Sequence, residues 1–231
     1  MNLLEIQNRI LIACQRAFDG KGRSAKDVQL LAVSKMQPDD LVEQAYLLGL
    51  RHFGENYVQE LMRKREKFIH LSEIKWHLIG PLQTNKIKIA LESADFFHAL
   101  ESIKTLNEIE RRSAKIEVGF IPWQIFIQVN IENENTKAGV SPAALPEFVK
   151  RVLATHSLCL RGFMIIPAAK ENPEHMRTVF REMKLISNKL EQKWGRPFEL
   201  SMGMSNDFEI AIEEGAHWVR IGRSLFGDRI K

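Results

Sequence analysis

Residues 29–35 read QLLAVSK, an apolar run from Leu30 to Val33 that Ser34 and Lys35 close. A short apolar run ending in polar residues fits a strand buried on both faces, as parallel sheets require. Seven further segments look alike: RHFGE (51–55), KWHLIG (75–80), FFHALES (96–102), QIFIQVN (124–130), LCLRGFMII (158–166), FELSMG (198–203) and HWVRIG (217–222). Between them lie amphipathic helical stretches such as PDDLVEQAYLL, YVQELMRKREKF, SPAALPEFVKRVLA and PEHMRTVFREMKLISNKLEQ, and one more helix is expected near residues 2–18. Eight strand–helix repeats in one chain predict an α/β protein, a single (β/α)8 TIM barrel over residues 1–231 with an extra N-terminal helix. The length of 231 residues suits such a barrel, for which about 250 is typical. An open doubly wound sheet is the alternative, but no GxGxxG follows the first strand and no GxxxxGK[ST] occurs.

Composition narrows the partners. With 33 basic and 29 acidic residues the net charge is only +4, a surplus too small to argue for nucleic acid or a membrane surface, and neither is expected as a partner. The two cysteines, Cys14 and Cys159, form no CxxC pair and no disulfide framework, so a reducing compartment and core packing are expected of them. The N-terminal segment is interrupted by Glu5, Gln7, Asn8 and Arg9, unlike a signal peptide, and no apolar run reaches membrane-spanning length. A cytoplasmic, monomeric protein without a metal centre is expected.

In parallel barrels the reactive groups gather where strands end. Period-two alternation puts Leu31, Val33 and Lys35 on one face of the first strand, so the amine points into the mouth of the barrel. A partly desolvated lysine there is a nucleophile suited to a Schiff base; the plainer reading is a strand-tip lysine reaching for water. Other strands end in GEN (54–56), SMGMSND (201–207) and RIG (220–222). Ser205 is placed to cap the helix through DFEIAIEEG, whose free N–H groups, with Ser201 and Gly203 beside them, form a candidate anion site. Gly222 lets the loop after the eighth strand approach the same anion. Trp218, Arg220 and Gly222 share one face, so Arg220 either reaches the barrel mouth or pairs with a carboxylate such as Glu199. His77 is either a hydrogen-bonded barrel histidine or a candidate base. Glu132, Glu134 and Lys137 form a lid or a solvated turn. Tyr46 is expected in the core, and Tyr57 follows Asn56 at a helix start.

AVSK (32–35), FGEN (53–56), WHLIGPLQTNK (76–86), QVNIENENTKAGV (128–140), RGFMIIP (161–167), SMGMSND (201–207) and VRIGRSLFG (219–227) occur in that order over nearly the whole chain. With these blocks the sequence resembles the pyridoxal-phosphate homeostasis proteins, also called proline synthetase co-transcribed homologues. The resemblance implies a fold-type III barrel like the N-terminal domain of alanine racemase, with pyridoxal 5′-phosphate (PLP) held covalently on Lys35. It places Asn56 beside the cofactor ring and Arg220 opposite the pyridine nitrogen. Ser201, Gly203 and the backbone around Gly222 and Arg223 would hold the phosphate, and His77, Met164 and Ser205 complete the set expected to contact the cofactor. Arg223 stands where many members of the family have a hydroxyl residue, so phosphate contact there falls to Ser224, to Arg223 itself or to main chain.

The resulting expectation is a protein that buffers or delivers PLP, to apo PLP-dependent enzymes among others, and regulates vitamin B6 and amino-acid/keto-acid balance. A low-activity racemase using Lys35 is the enzyme alternative, since PLP racemases pair the lysine with a second base. A PLP-bearing scaffold acting through protein partners is the third.

Overall fold

The computed structural model describes residues 1–17, 22–114, 122–134, 137–168 and 172–227. After helix α1 (Leu3–Gln15) the chain runs β1 (Gln29–Val33), α2 (Asp39–Leu47), β2 (His52–Glu55), α3 (Val58–Lys67), β3 (Lys75–Leu78), α4 (Ile87–Ser93), β4 (Phe96–Leu100) and α5 (Ile103–Ser113). It continues with β5 (Trp123–Gln128), α6 (Leu145–Leu153), β6 (Leu158–Met164), α7 (Pro173–Trp194), β7 (Glu199–Met204), α8 (Phe208–Glu213), β8 (Trp218–Ile221) and α9 (Arg223–Phe226). The strands pair in chain order and close through β1 and β8 into one parallel barrel. All eight expected strands form, and no helix among the described residues is long and apolar enough to cross a membrane.

The alternation expected of β1 is observed. Leu31 is fully buried against the inward-facing Gly54, and Val33 and Lys35 follow it toward the open end of the barrel. The intervening Ser34 faces α3 on the outer side, where it too is fully buried. α1 lies outside the repeat and is fixed to α8 by Arg9, whose guanidinium donates to both Glu209 oxygens and stacks over the Phe208 ring at 4.6 Å. Cys14 is buried as expected, whereas Cys159 is only half-buried.

The lower barrel interior holds aromatic rings and histidines where branched aliphatic residues are usual. His77 stacks on Phe96 with centroids 4.2 Å apart, His98 stacks on Phe126 at 4.3 Å, and Trp218 lies edge-on to His52 at 4.8 Å. Buried polar rings need partners. They find them in one another: His52 Nδ1 meets His77 Nε2 at 2.9 Å, His77 Nδ1 meets His98 Nε2 at 2.9 Å, and His98 Nδ1 meets Ser201 Oγ at 3.0 Å.

β7 departs from regular pairing. Ser201 pairs with Trp218 but Met204 with Arg220, so the register slips between them. A bulge of this kind re-aims the residues beyond it. Gly203, with φ +92°, therefore turns toward α8, where an added Cβ would stand 2.6 Å from Ala211 Cβ and 2.9 Å from Phe208 Cα.

Candidate functional site

A cavity of about 1370 Å³ opens where the strands end. Its wall is built from the tips of several strands and the loops after them, as the barrel architecture favours. Lys35 comes from just beyond β1, Asn56 from just beyond β2, Glu101 from just beyond β4, and Arg220 from β8 itself. Ser205 and Asp207 reach it from the loop after β7, and Gly222 and Arg223 from the end of β8. Lys35 is half-buried, as a lysine at a cavity wall should be if its stem packs while its amine stays accessible.

Backbone contacts fix the neighbours of this lysine. Gly80 lies so close to Asn56 that a Cβ on it would be 2.3 Å from Asn56 O, which holds the end of β3 against the end of β2. Gly222 has little more room, since its added Cβ would be 3.2 Å from Val33 O. The loop after β8 is thereby pressed onto the tip of β1. Ser205 Oγ accepts from Ser224 N at 3.4 Å and ties together the loops after β7 and β8.

Arg220 is 4% exposed and is held without a carboxylate in its hydrogen-bonding shell. Nη1 donates to Ser201 O at 2.7 Å and to Ser201 Oγ at 3.0 Å, and Nη2 donates to Ile165 O at 2.9 Å. Three of the five guanidinium N–H groups are committed in this way, and the remaining two have no partner among the described residues. Burial pushes the guanidinium down to about 10, with Asp207 acting in the opposite direction, so it stays protonated at neutral pH. The ion pair with Glu199 does not form, because Glu199 pairs with Arg161 and accepts from Trp218 Nε1 at 2.6 Å.

The hydrogen bond from Arg220 also orients the histidine chain. Ser201 Oγ accepts from the arginine, which can only donate, and its own hydrogen is assigned to His98 Nδ1, the tautomer that lets each ring of the chain donate once. His98 then donates from Nε2 to His77, and His77 from Nε2 to His52. Burial holds His77 and His98 well below the ordinary histidine range, and the Arg220 charge adds to the effect on His98. Because their folded values are depressed, the pair contributes stability above about pH 6.5 that is lost as pH falls. We expect ¹⁵N-histidine spectra at about pH 5.5 to show both rings neutral and protonated at Nε2. An imidazolium at either position would contradict the chain as described.

Several sequence expectations need correction. His77, Met164, Ser201 and Gly203 do not line the cavity. Met164 and Ser201 are fully buried in the wall, His77 lies in the hydrogen-bonded interior, and the β7 bulge turns Gly203 onto α8. Ser205 does not cap α8. That helix starts after Asp207, whose Oδ1 accepts from Met204 N at 2.5 Å and makes no side-chain cap to the helix amides. Tyr57 is 60% exposed and outside the cavity wall, while Tyr46 is partly buried against the core, as expected, and donates its hydroxyl to Glu73 at 3.0 Å. Glu132 accepts from Ala168 N and pairs with His175, which ties the turn after β5 to the loop after β6; residues 135–136 lie outside the described set.

Glu101, Met204 and Asp207 line the cavity without having been singled out from the sequence. Glu101 stands next to last in FFHALES, just past the strand, and follows the same strand-end rule as Lys35, which was its available signal. Asp207 lies within SMGMSND, and burial raises its carboxyl above the usual range. The wall thus sets Lys35, Arg220 and Arg223 against Glu101 and Asp207, a cationic balance suited to a small anionic ligand. No cluster of three or more metal-ligating side chains occurs among the described residues.

Residues 19–230 match the family of the alanine racemase N-terminal domain. The pyridoxal phosphate homeostasis protein of Aquifex aeolicus is 39% identical over 230 residues, covering 99% of each chain. The protein of the same name from Escherichia coli K12 is 37% identical, over 99% of this chain and 95% of its own. PipY of Synechococcus elongatus PCC7942, solved with PLP bound, is 32% identical and superposes with a TM-score of 0.81, covering 96% of this chain and 100% of that one.

Proposed function

From its membership of the alanine racemase N-terminal domain family, and of the pyridoxal phosphate homeostasis proteins within it, we propose that this chain binds PLP and buffers or delivers it. The observation that carries the reading is the convergence of Lys35, Asn56 and Arg220 on one cavity wall from three neighbouring strands. The residues fit the group: an amine for the aldehyde, a buried guanidinium with free N–H groups for the ring nitrogen, and a hydroxyl and cation for the phosphate. When bound, PLP supplies an electrophilic carbonyl and an electron sink.

The protein's own residues divide the work. Lys35 attaches the cofactor covalently through Nζ, and Asn56 flanks the ring. Arg220 donates a hydrogen bond to the ring nitrogen while keeping its proton. Ser205, Arg223 and the backbone at Gly222 receive the phosphate, in the corner where the loops after β7 and β8 are tied. The whole chain acts as one cofactor-binding barrel, monomeric and cytoplasmic, with apo PLP-dependent enzymes as recipients. Carriage is favoured over racemisation because a racemase needs a second base facing the lysine, and neither Tyr46 nor Tyr57 lies on the cavity wall to serve as one.

Two experiments test this reading. Protein loaded with PLP should restore activity to an apo PLP-dependent enzyme while exchanging no Cα hydrogen of free amino acids in heavy water. Rapid exchange would overturn the carrier reading in favour of the racemase. Pyridoxal, which lacks the phosphate, should bind about 100-fold more weakly, since two charge-assisted hydrogen bonds are lost. Equal affinity in a titration followed by absorbance would remove the phosphate site.

A further inference from the structure

The two peptide groups that flank the Cα of Lys35 are both pinned by one buried ion cluster on the outer side of the barrel wall. Before Lys35, the Ser34 carbonyl accepts from Lys64 Nζ at 2.6 Å. After it, Met36 N donates to Glu60 Oε1 at 2.8 Å. Lys64 Nζ joins the two ends, lying 3.0 Å from the same Glu60 oxygen and 2.8 Å from Glu55 Oε1. Ser34 Oγ adds a bond to Glu55 Oε1 at 2.6 Å. Two ammonium hydrogens of Lys64 are therefore used, one on the Glu55 carboxylate and one on the backbone beside Lys35, and Glu60 completes the cluster as an ion pair.

We infer that Lys64, with Glu60 and Glu55, is the positioning device for Lys35, setting the direction from which its amine meets a carbonyl compound in the cavity. Fixing both adjoining peptide planes fixes φ and ψ of Lys35, and with them its Cα–Cβ direction. Met36 has φ +58°, a left-handed conformation that is uncommon for a residue other than glycine and persists where surrounding bonds impose it. The bond from Met36 N to Glu60 is such a bond.

A purely stabilising role explains the cluster poorly. Lys64 and Glu55 are both 0% exposed, and buried ion pairs are often replaceable by well-packed apolar residues without loss of stability. Glu55 Oε2 is buried with no hydrogen-bond partner among the described residues. With two carboxylates sharing one ammonium, burial pushes Glu55 up to about 7 against the pull of Lys64. What apolar side chains could not supply is the donor and the acceptor that hold Ser34 O and Met36 N.

This inference rests on Lys35 being the attachment residue, and its test separates the two ideas. Attachment forms a double bond between Lys35 Nζ and the aldehyde carbon, and the aldehyde oxygen leaves as water with both hydrogens of the neutral amine. Stopped-flow absorbance gives the rate of that step. Pyridoxine 5′-phosphate, which has no aldehyde, gives the non-covalent affinity of the same cavity. We expect Glu60→Ala and Lys64→Met to slow attachment about tenfold or more while leaving affinity for pyridoxine 5′-phosphate within about twofold, because only the aim of the amine changes. Glu60→Gln, which keeps an oxygen for Met36 N, should restore the rate. Glu60 is a partly exposed helix residue, so its variants retain the fold even if Lys64→Met does not. Wild-type attachment rates in Glu60→Ala, or equal loss in Glu60→Ala and Glu60→Gln, would overturn the positioning role. Wild-type protein that binds pyridoxine 5′-phosphate but attaches no PLP would instead sink the reading of Lys35.

Discussion

Lys35→Ala is expected to abolish the visible absorbance that PLP acquires on attachment, and to lower affinity for the cofactor about 100-fold, equivalent to about 2.7 kcal/mol. The side chain is half-buried at the cavity wall, and the core beneath it is formed by Leu31 and its neighbours. Its removal should therefore change stability by no more than about 0.5 kcal/mol, as for a surface substitution. The contrast is the informative part. A variant that folds with wild-type stability, still binds pyridoxine 5′-phosphate, yet shows no attached cofactor locates the chemistry on one amine. Retained absorbance in Lys35→Ala would show that another lysine does the work.

Arg220→Glu should produce the second large effect, and it should appear in two measurements. Ser201 O and Ile165 O would lose buried donors, and a new carboxylate would stand near Asp207. Each uncompensated buried group costs about 1–3 kcal/mol, so a loss of about 3 kcal/mol or more in a denaturant titration is expected. Arg220→Lys keeps the charge and should lose roughly half of that. The spectroscopic consequence follows from proton possession. A guanidinium that stays charged up to about pH 10 donates a hydrogen bond to the ring nitrogen but does not surrender its proton, whereas a carboxyl can share one. Arg220→Glu should therefore alter the absorbance of the bound cofactor and raise side transamination, with Arg220→Lys merely binding less well. An Arg220→Glu variant with unchanged stability, spectrum and side reactions would contradict both the geometry and its chemical reading.

Much of the molecule was legible in its sequence because the signals are local. Apolar runs at regular intervals gave the eight strands in order, and period two along QLLAVSK gave the inward turn of Lys35. The same alternation placed Trp218, Arg220 and Gly222 together. It failed at SMGMSND, because the bulge between Ser201 and Met204 depends on how closely α8 approaches Gly203, a tertiary contact that no spacing encodes. His52, His77 and His98 each sit in a strand segment that was read correctly, but their linkage across the barrel emerges only once the strands are staggered side by side.

Lys64 was hidden for the opposite reason. In YVQELMRKREKF it stands among charged neighbours and looks like part of a solvated helix face, yet it is wholly buried because Glu55 and Ser34 face it across the barrel wall. Pairing of this kind joins residues from β1, β2 and α3, and no helical or strand period links them. The lysine proposed for attachment was thus visible in the sequence, and the groups proposed to aim it were not.

The measurement that tests the account most directly is borohydride reduction of the PLP-loaded protein followed by peptide mass mapping. A single cofactor tag on Lys35, with phosphate intact, is the predicted result. A tag on Lys86 or Lys137, or no tag on a protein that has bound the cofactor, would contradict the assignment of this cavity as a covalent PLP site.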